Sequence, residues 1–89
     1  MTESWTYEVR LLVTARGQLL RVPKRIRSRL RDTIRALAAD PRPAGCKKLT
    51  GGTDYFRIRV GDYRVLYEVR DRDVLVLVIK IGHRREVYR

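Results

Sequence analysis

Three arginines in a short span carry the strongest chemical signal in this chain. Arg57, Arg59 and Arg64 lie in the stretch 55–69, Tyr-Phe-Arg-Ile-Arg-Val-Gly-Asp-Tyr-Arg-Val-Leu-Tyr-Glu-Val. Two alternating runs flank Gly61-Asp62, which predicts a hairpin closed by a type II′ turn with glycine first. The turn sets Val60 opposite Tyr63, Arg59 opposite Arg64, Ile58 opposite Val65 and Arg57 opposite Leu66. Side chains alternate faces along a strand. Phe56, Ile58, Val60, Tyr63, Val65, Tyr67 and Val69 therefore form a core face, and the three guanidiniums share the other. Like charges directly opposite one another destabilise a sheet. Glu68 shares that face but falls opposite Tyr55, at the far end. Two readings stay open: long side chains splayed into water, or a site for a polyanion, phosphate above all, which guanidiniums grip with paired hydrogen bonds.

The rest of the composition narrows the chemistry. The 89 residues hold 21 Lys plus Arg against 10 Asp plus Glu, a formal charge of +11. Such a balance predicts attraction to nucleic acid or to an acidic protein partner, weakening with salt. One cysteine, Cys46, and one histidine, His83, do not make a zinc site, and no metal or other cofactor is expected. Cys46 reads as a small turn residue. No serine stands in a nucleophile context, and no glycine-rich phosphate loop occurs. No long apolar run marks a membrane segment. The opening Met1-Thr2-Glu3-Ser4 has no signal-peptide apolar region, so a cytoplasmic protein is expected. The length and the 44% hydrophobic content predict one domain, 1–89, with a modest core.

The elements that must position the arginines can be read in order. Trp5 to Val13 reads as a first strand, with Tyr7, Val9, Leu11 and Val13 on one side and Thr6, Glu8 and Arg10 on the other. Thr14 is placed to cap a short helix, Ala15 to Arg21. Gly17 weakens that helix by about 1 kcal/mol relative to alanine. Pro23 suits the first turn of a second helix, in which Ile26, Leu30, Ile34 and Leu37 form an apolar stripe. Arg27, Arg31 and Arg35 form a second stripe, either a solvated face or a hold on RNA. Asp40-Pro41-Arg42-Pro43 ends the helix, near Ala39. Lys47-Lys48-Leu49 reads as a short strand, and both lysines are candidates for phosphate contact or plain solvation. After the hairpin, Arg70-Asp71-Arg72-Asp73 turns the chain. Val74 to Ile81 is apolar except for Lys80, as suits a strand inside the sheet. A tight turn there would set Leu75, Leu77 and Ile79 beside Leu66 on the arginine side. The fold class is α+β, in the order β-α-α-β-β-β, with two N-terminal helices packed on one face of a mostly antiparallel sheet.

The chain closes with Gly82-His83-Arg84-Arg85-Glu86-Val87-Tyr88-Arg89. Taken with Asp40-Pro41-Arg42-Pro43, Lys47-Lys48-Leu49 and the hairpin from Tyr55 to Tyr67, this tail resembles the RelE/ParE toxin superfamily. The RelE branch of type II toxin–antitoxin systems is the most similar, over nearly the whole chain from Tyr7. The resemblance implies a RelE-like fold of the same β-α-α-β-β-β order. It implies a ribosome-dependent endoribonuclease that cleaves messenger RNA in the A site, needs no metal and inhibits translation. It implies as partners the ribosome, the messenger and a cognate RelB-like antitoxin, in a toxin–antitoxin hetero-oligomer.

The same resemblance implies roles for residues. The family's basic positions fall on Arg57, Arg59, Arg64 and Arg84, and its C-terminal tyrosine on Tyr88. Arg85, Lys47 and Lys48 are expected to contact RNA. RNA carries its own nucleophile, the 2′-hydroxyl, so the enzyme aligns it and stabilises the added negative charge. The expected products are a 2′,3′-cyclic phosphate and a 5′-hydroxyl. Relatives have lysines where this chain has Arg57 and Arg59, and arginine cannot serve as a general base. His83 or Tyr88 is expected to take the proton-transfer role; alternatively His83 only forms a hydrogen bond at a strand end. Tyr88 has a second use, stacking on an unpaired base. Two other functions remain alongside: a ParE-like inhibitor of DNA gyrase, and a non-catalytic RNA-binding module.

Overall fold

The computed structural model describes residues 6–49 and 54–87. The chain runs through β1 (Glu8–Leu11), α1 (Val13–Arg21), α2 (Lys24–Ala36), β2 (Lys47–Lys48), β3 (Tyr55–Val60), β4 (Tyr63–Arg70), a 3₁₀ turn (Asp71–Asp73), β5 (Leu75–His83) and α3 (Arg84–Val87). The strands order as β1-β5-β4-β3-β2, with β1 parallel to β5 and the other neighbours antiparallel. The expected helix pair on a mostly antiparallel sheet is present, and β5 lies inside the sheet. The one parallel pair arises because α1 and α2 carry the chain across between β1 and the later strands.

The hairpin holds the expected register, from Tyr55 opposite Glu68 to Val60 opposite Tyr63. Gly61 adopts φ +59°, and among the described residues Val74 is the one non-glycine at positive φ. Positive φ at the first loop residue alone is the type II′ pattern. Phe56, Ile58, Val60, Val65, Tyr67 and Val69 are buried with Ala15, Leu19, Leu30, Ile34, Leu37, Val76, Val78 and Ile81. The apolar stripe of α2 therefore meets the core face of the hairpin.

Two local expectations are corrected. Val13 is not in the first strand: it starts α1 and is 88% exposed. The Leu12 N–H still donates to the Val78 carbonyl at 2.9 Å, and the Arg16 N–H donates to the Leu12 carbonyl at 2.9 Å. The chain thus leaves the sheet and enters the helix at one residue, so Leu12 is the N-cap and Thr14 caps nothing. Trp5 lies outside the described residues. Secondly, Arg27 does not belong to a solvated stripe. Its Nη2 donates to the Leu20 and Val22 carbonyls at 3.0 and 3.1 Å. A helix end leaves carbonyls without intrahelical donors, and Arg27 supplies one to the end of α1. Ile79 keeps the expected side with Leu75 and Leu77, all three half-buried where Val76 and Val78 are buried, but it has no partner in the β4 ladder. The ladder skips between Leu66, paired with Lys80, and Tyr67, paired with Val78. This bulge inserts one residue into β5 and reverses its side-chain parity. Leu75 and Leu77 keep the expected side, opposite Arg70 and Glu68.

Candidate functional site

Two cross-strand rows of cations lie on the sheet face turned away from the helices. One row runs Lys47, Arg57, Leu66, Lys80 across β2, β3, β4 and β5. The next runs Arg59, Arg64, Gly82 across β3, β4 and β5. Neighbouring strands are spaced about 4.8 Å apart, so these charges crowd. Among the described residues Glu68 lies on the same face, where its Oε1 meets the Arg70 Nε at 3.2 Å. Exposure grades along the rows. Arg59 is exposed, Arg57 half-buried, and Arg64 is 7% exposed. Burial raises the electrostatic strength of a guanidinium and the cost of desolvating it.

Lys80 is the member that the sequence reading did not single out. It stood as the exception in an apolar run, and only the bulge at Ile79 sets it opposite Leu66. Lys48 separates from Lys47, since it pairs with the core-face residue Phe56 while Lys47 pairs with Arg57. Both are exposed.

The C-terminal candidates gather at the hairpin turn. The Arg84 N–H donates to the Asp62 carbonyl at 2.8 Å, which pins the start of α3 beside Gly61-Asp62. Arg84 and Arg85 are exposed. His83 sits opposite Tyr63, on the side of the sheet that faces the helices, with the rings edge to face at 5.5 Å. The Arg85 N–H donates to His83 Nδ1 at 3.3 Å. With Nδ1 accepting, a neutral ring carries its proton on Nε2. Strand parity thus separates His83 from the rows of Arg57, Arg59 and Arg64, while its backbone leads into Arg84. Tyr88 lies outside the described residues.

A second cationic corner lies at the other end of the sheet. Arg42 bonds Asp71 through both guanidinium nitrogens, at 2.8 and 3.3 Å, and stacks over the Phe56 ring at 5.3 Å. The Tyr7 hydroxyl donates to the same carboxylate at 2.7 Å. The Arg42 and Tyr7 hydrogen bonds hold the Asp71 carboxyl below the usual carboxylate range. The Tyr67 hydroxyl donates to the Pro41 carbonyl at 2.8 Å, and burial holds its phenol above the usual range. The Asp-Pro-Arg-Pro segment is therefore a structural clasp.

Comparison with known proteins agrees with this geometry. The family profile described as "ParE toxin of type II toxin-antitoxin system, parDE" matches residues 9–88. This chain belongs to the RelE/ParE toxin superfamily. Within the superfamily it is similar to "Toxin RelG" of Mycobacterium tuberculosis, 33% identical over 86 residues, 93% of this chain and 97% of that protein. Among solved structures it is similar to the toxin–antitoxin complex RelBE2 of Mycobacterium tuberculosis, at TM-score 0.80 and 28% identity, covering 97% of this chain and 100% of that one. The archaeal RelE–RelB complex from Pyrococcus horikoshii gives TM-score 0.81 and 30% identity, covering 92% of this chain and 99% of that one. The protein is a type II toxin of the RelE family.

Proposed function

We propose that this toxin is an endoribonuclease that cleaves messenger RNA in the ribosomal A site, and that a RelB-like antitoxin encoded with it holds it inactive. The observation that carries the reading is the paired rows, which gather Arg57, Arg59 and Arg64 on one face. The reaction asks little else of the protein. The 2′-oxygen attacks the adjacent phosphorus as its proton departs. The bond from phosphorus to the 5′-oxygen breaks, and that oxygen takes up a proton. The products are a 2′,3′-cyclic phosphate and a 5′-hydroxyl. Negative charge accumulates on the phosphoryl oxygens, and preorganised guanidiniums stabilise it more than they stabilise the ground state.

The placement of the residues supports the following roles. Arg59 and Arg64 face each other and clamp the scissile phosphate. Arg57 extends the grip into the neighbouring row, and Lys47 binds a flanking phosphate. Arg84, held at the hairpin turn through its backbone, reaches the same phosphate from α3. Arg85 and Lys48 add RNA affinity from outside the rows. His83 serves as a positioning residue: its Nδ1 fixes the first turn of α3 and with it Arg84. Tyr88 stacks on a base or orients the 2′-hydroxyl. A gyrase-directed function, the alternative that the ParE branch implies, would leave the paired arginine rows without a task.

Primer extension on programmed ribosomes, beside the same messenger free in solution, tests the reading. Wild type is expected to cut at the A-site codon, and Arg84→Ala to lose that cut. Cuts in free RNA as well would make the protein a general ribonuclease. A folded protein that cuts neither would overturn the assignment in favour of gyrase inhibition or simple binding. His83→Gln separates positioning from proton transfer. A positioning role predicts lower activity with the wild-type pH profile, whereas a proton-transfer role predicts loss of one limb of that profile.

A further inference from the structure

A cleft of about 410 Å³ opens between α1 and the end of β5, lined by Gln18, Arg21, Val22, Tyr63, Lys80 and Ile81 among others. Its origin is topological. β1 ends at Leu11, opposite Val78, so among the described residues the part of β5 beyond the bulge has no strand on that side. The Ile81 N–H at this edge donates instead to Gln18 Oε1 at 2.8 Å. That bond orients the Gln18 amide and leaves its NH₂ group to donate. Among the described residues Arg21 and Lys80 have no ion pair and no carboxylate side chain lines the cleft. The lining residues thus bring a guanidinium, an amide and a phenol, with Val22 and Ile81 as an apolar side, and Lys80, whose register turns it toward the arginine face, borders the cleft at the edge of β5. Such a set suits an anion attached to a flat apolar group.

Lys80 belongs both to this cleft and to the row Lys47, Arg57, Leu66, Lys80. The cationic face is therefore continuous with the cleft around the edge of β5. Two strand spacings, about 10 Å, separate Arg57 from Lys80. We propose that the cleft is a second RNA subsite: it takes a nucleotide flanking the scissile phosphate, with Arg21 and Lys80 on the phosphate and Val22 and Ile81 beside the base. This rests on the ribonuclease reading and adds to it a path for the strand. Continuity with the arginine rows and the formal charge of +11 favour RNA over an acidic protein segment as the occupant.

The test titrates the full-length toxin with a short 2′-O-methyl oligouridylate, whose blocked 2′-oxygens prevent cleavage, and follows amide NMR signals. Shifts are expected at the Gln18 side-chain amide and the Ile81 backbone amide together with Arg59 and Arg64. The double variant Arg21→Gln with Lys80→Gln is expected to lose the first pair and keep the second. Its affinity should fall about three- to tenfold, and the slope of log affinity against log salt should fall by about 0.7, one single-strand phosphate. Shifts at Arg59 and Arg64 alone, unchanged by the double variant, would overturn the subsite and leave the ribonuclease reading standing. Shifts in the cleft alone would keep the subsite and remove the arginine face as the phosphate site. Shifts at neither place would overturn both. A double variant that binds the antitoxin more weakly but RNA equally well would make the cleft a protein-docking surface and overturn the proposal.

Discussion

Two arginine sites on this sheet solve opposite problems. At one end Arg42 is fully engaged, with a two-point contact to Asp71 and the Phe56 ring beneath it. At the other, Arg59 faces Arg64, and the next row sets Arg57 between Lys47 and Leu66. The first arrangement ties the loop after α2 to the turn before β5, so its charge is used within the fold. The second brings like charges together, which favours any anion that enters between them. Equal side-chain chemistry thus gives stability where it ties two segments of the fold together and affinity where cations gather on one face.

Removing a cation from each site should separate the two roles. Arg59→Ala is expected to lower cleavage on programmed ribosomes by about 10²–10³, the range for loss of one transition-state donor. Its thermal midpoint should match or exceed that of wild type, because a like-charge neighbour disappears. A large drop in the midpoint would mean that Arg59 belongs to the fold and would break the comparison. The structural end should respond the other way. Tyr67→Phe leaves the buried Pro41 carbonyl without its donor, which costs about 1–2 kcal/mol in denaturant unfolding, with RNA binding unchanged.

Acid titration sharpens the contrast further. Asp71 is held below its ordinary range in the folded chain, first by the Arg42 hydrogen bond and then by Tyr7. The unfolded chain therefore binds this proton at higher pH than the folded one. The contribution is complete above about pH 4, the unfolded value, and is lost as pH falls through the lower folded value. Asp71→Asn should reduce stability near neutral pH and flatten the acid limb of the unfolding curve. An acid limb identical to wild type would remove Asp71 from the clasp. The smallest effect is expected at Val74, which follows the 3₁₀ turn with φ +50°. A β-branched residue is strained there, so Val74→Gly should raise stability by about 0.5–1 kcal/mol, the relief exceeding glycine's entropic cost. Cleavage should not change.

The hairpin was legible because its information is local. Alternation with period two and one Gly-Asp turn set the faces and partners of Arg57, Arg59 and Arg64 without any other element. The stripe of α2 was legible in the same way, through Leu30, Ile34 and Leu37. Arg27 was misread since helical periodicity reports the face a residue occupies, not the neighbouring carbonyls its long side chain can reach. A single inserted residue at the bulge, which leaves no mark in the apolar run before it, decides the sides that Lys80 and His83 take relative to the arginines.

The amino-acid sequence by itself determined the order of elements, the hairpin register and the cationic face, because backbone alternation and turn chemistry act over a few neighbouring residues. Tertiary structure alone decided which cations are answered by carboxylates, which side of the sheet His83 takes, and where β5 has an open edge. Those outcomes depend on contacts between residues far apart in the chain, such as Arg42 with Asp71 and Gln18 with Ile81, and on a bulge that packing fixes.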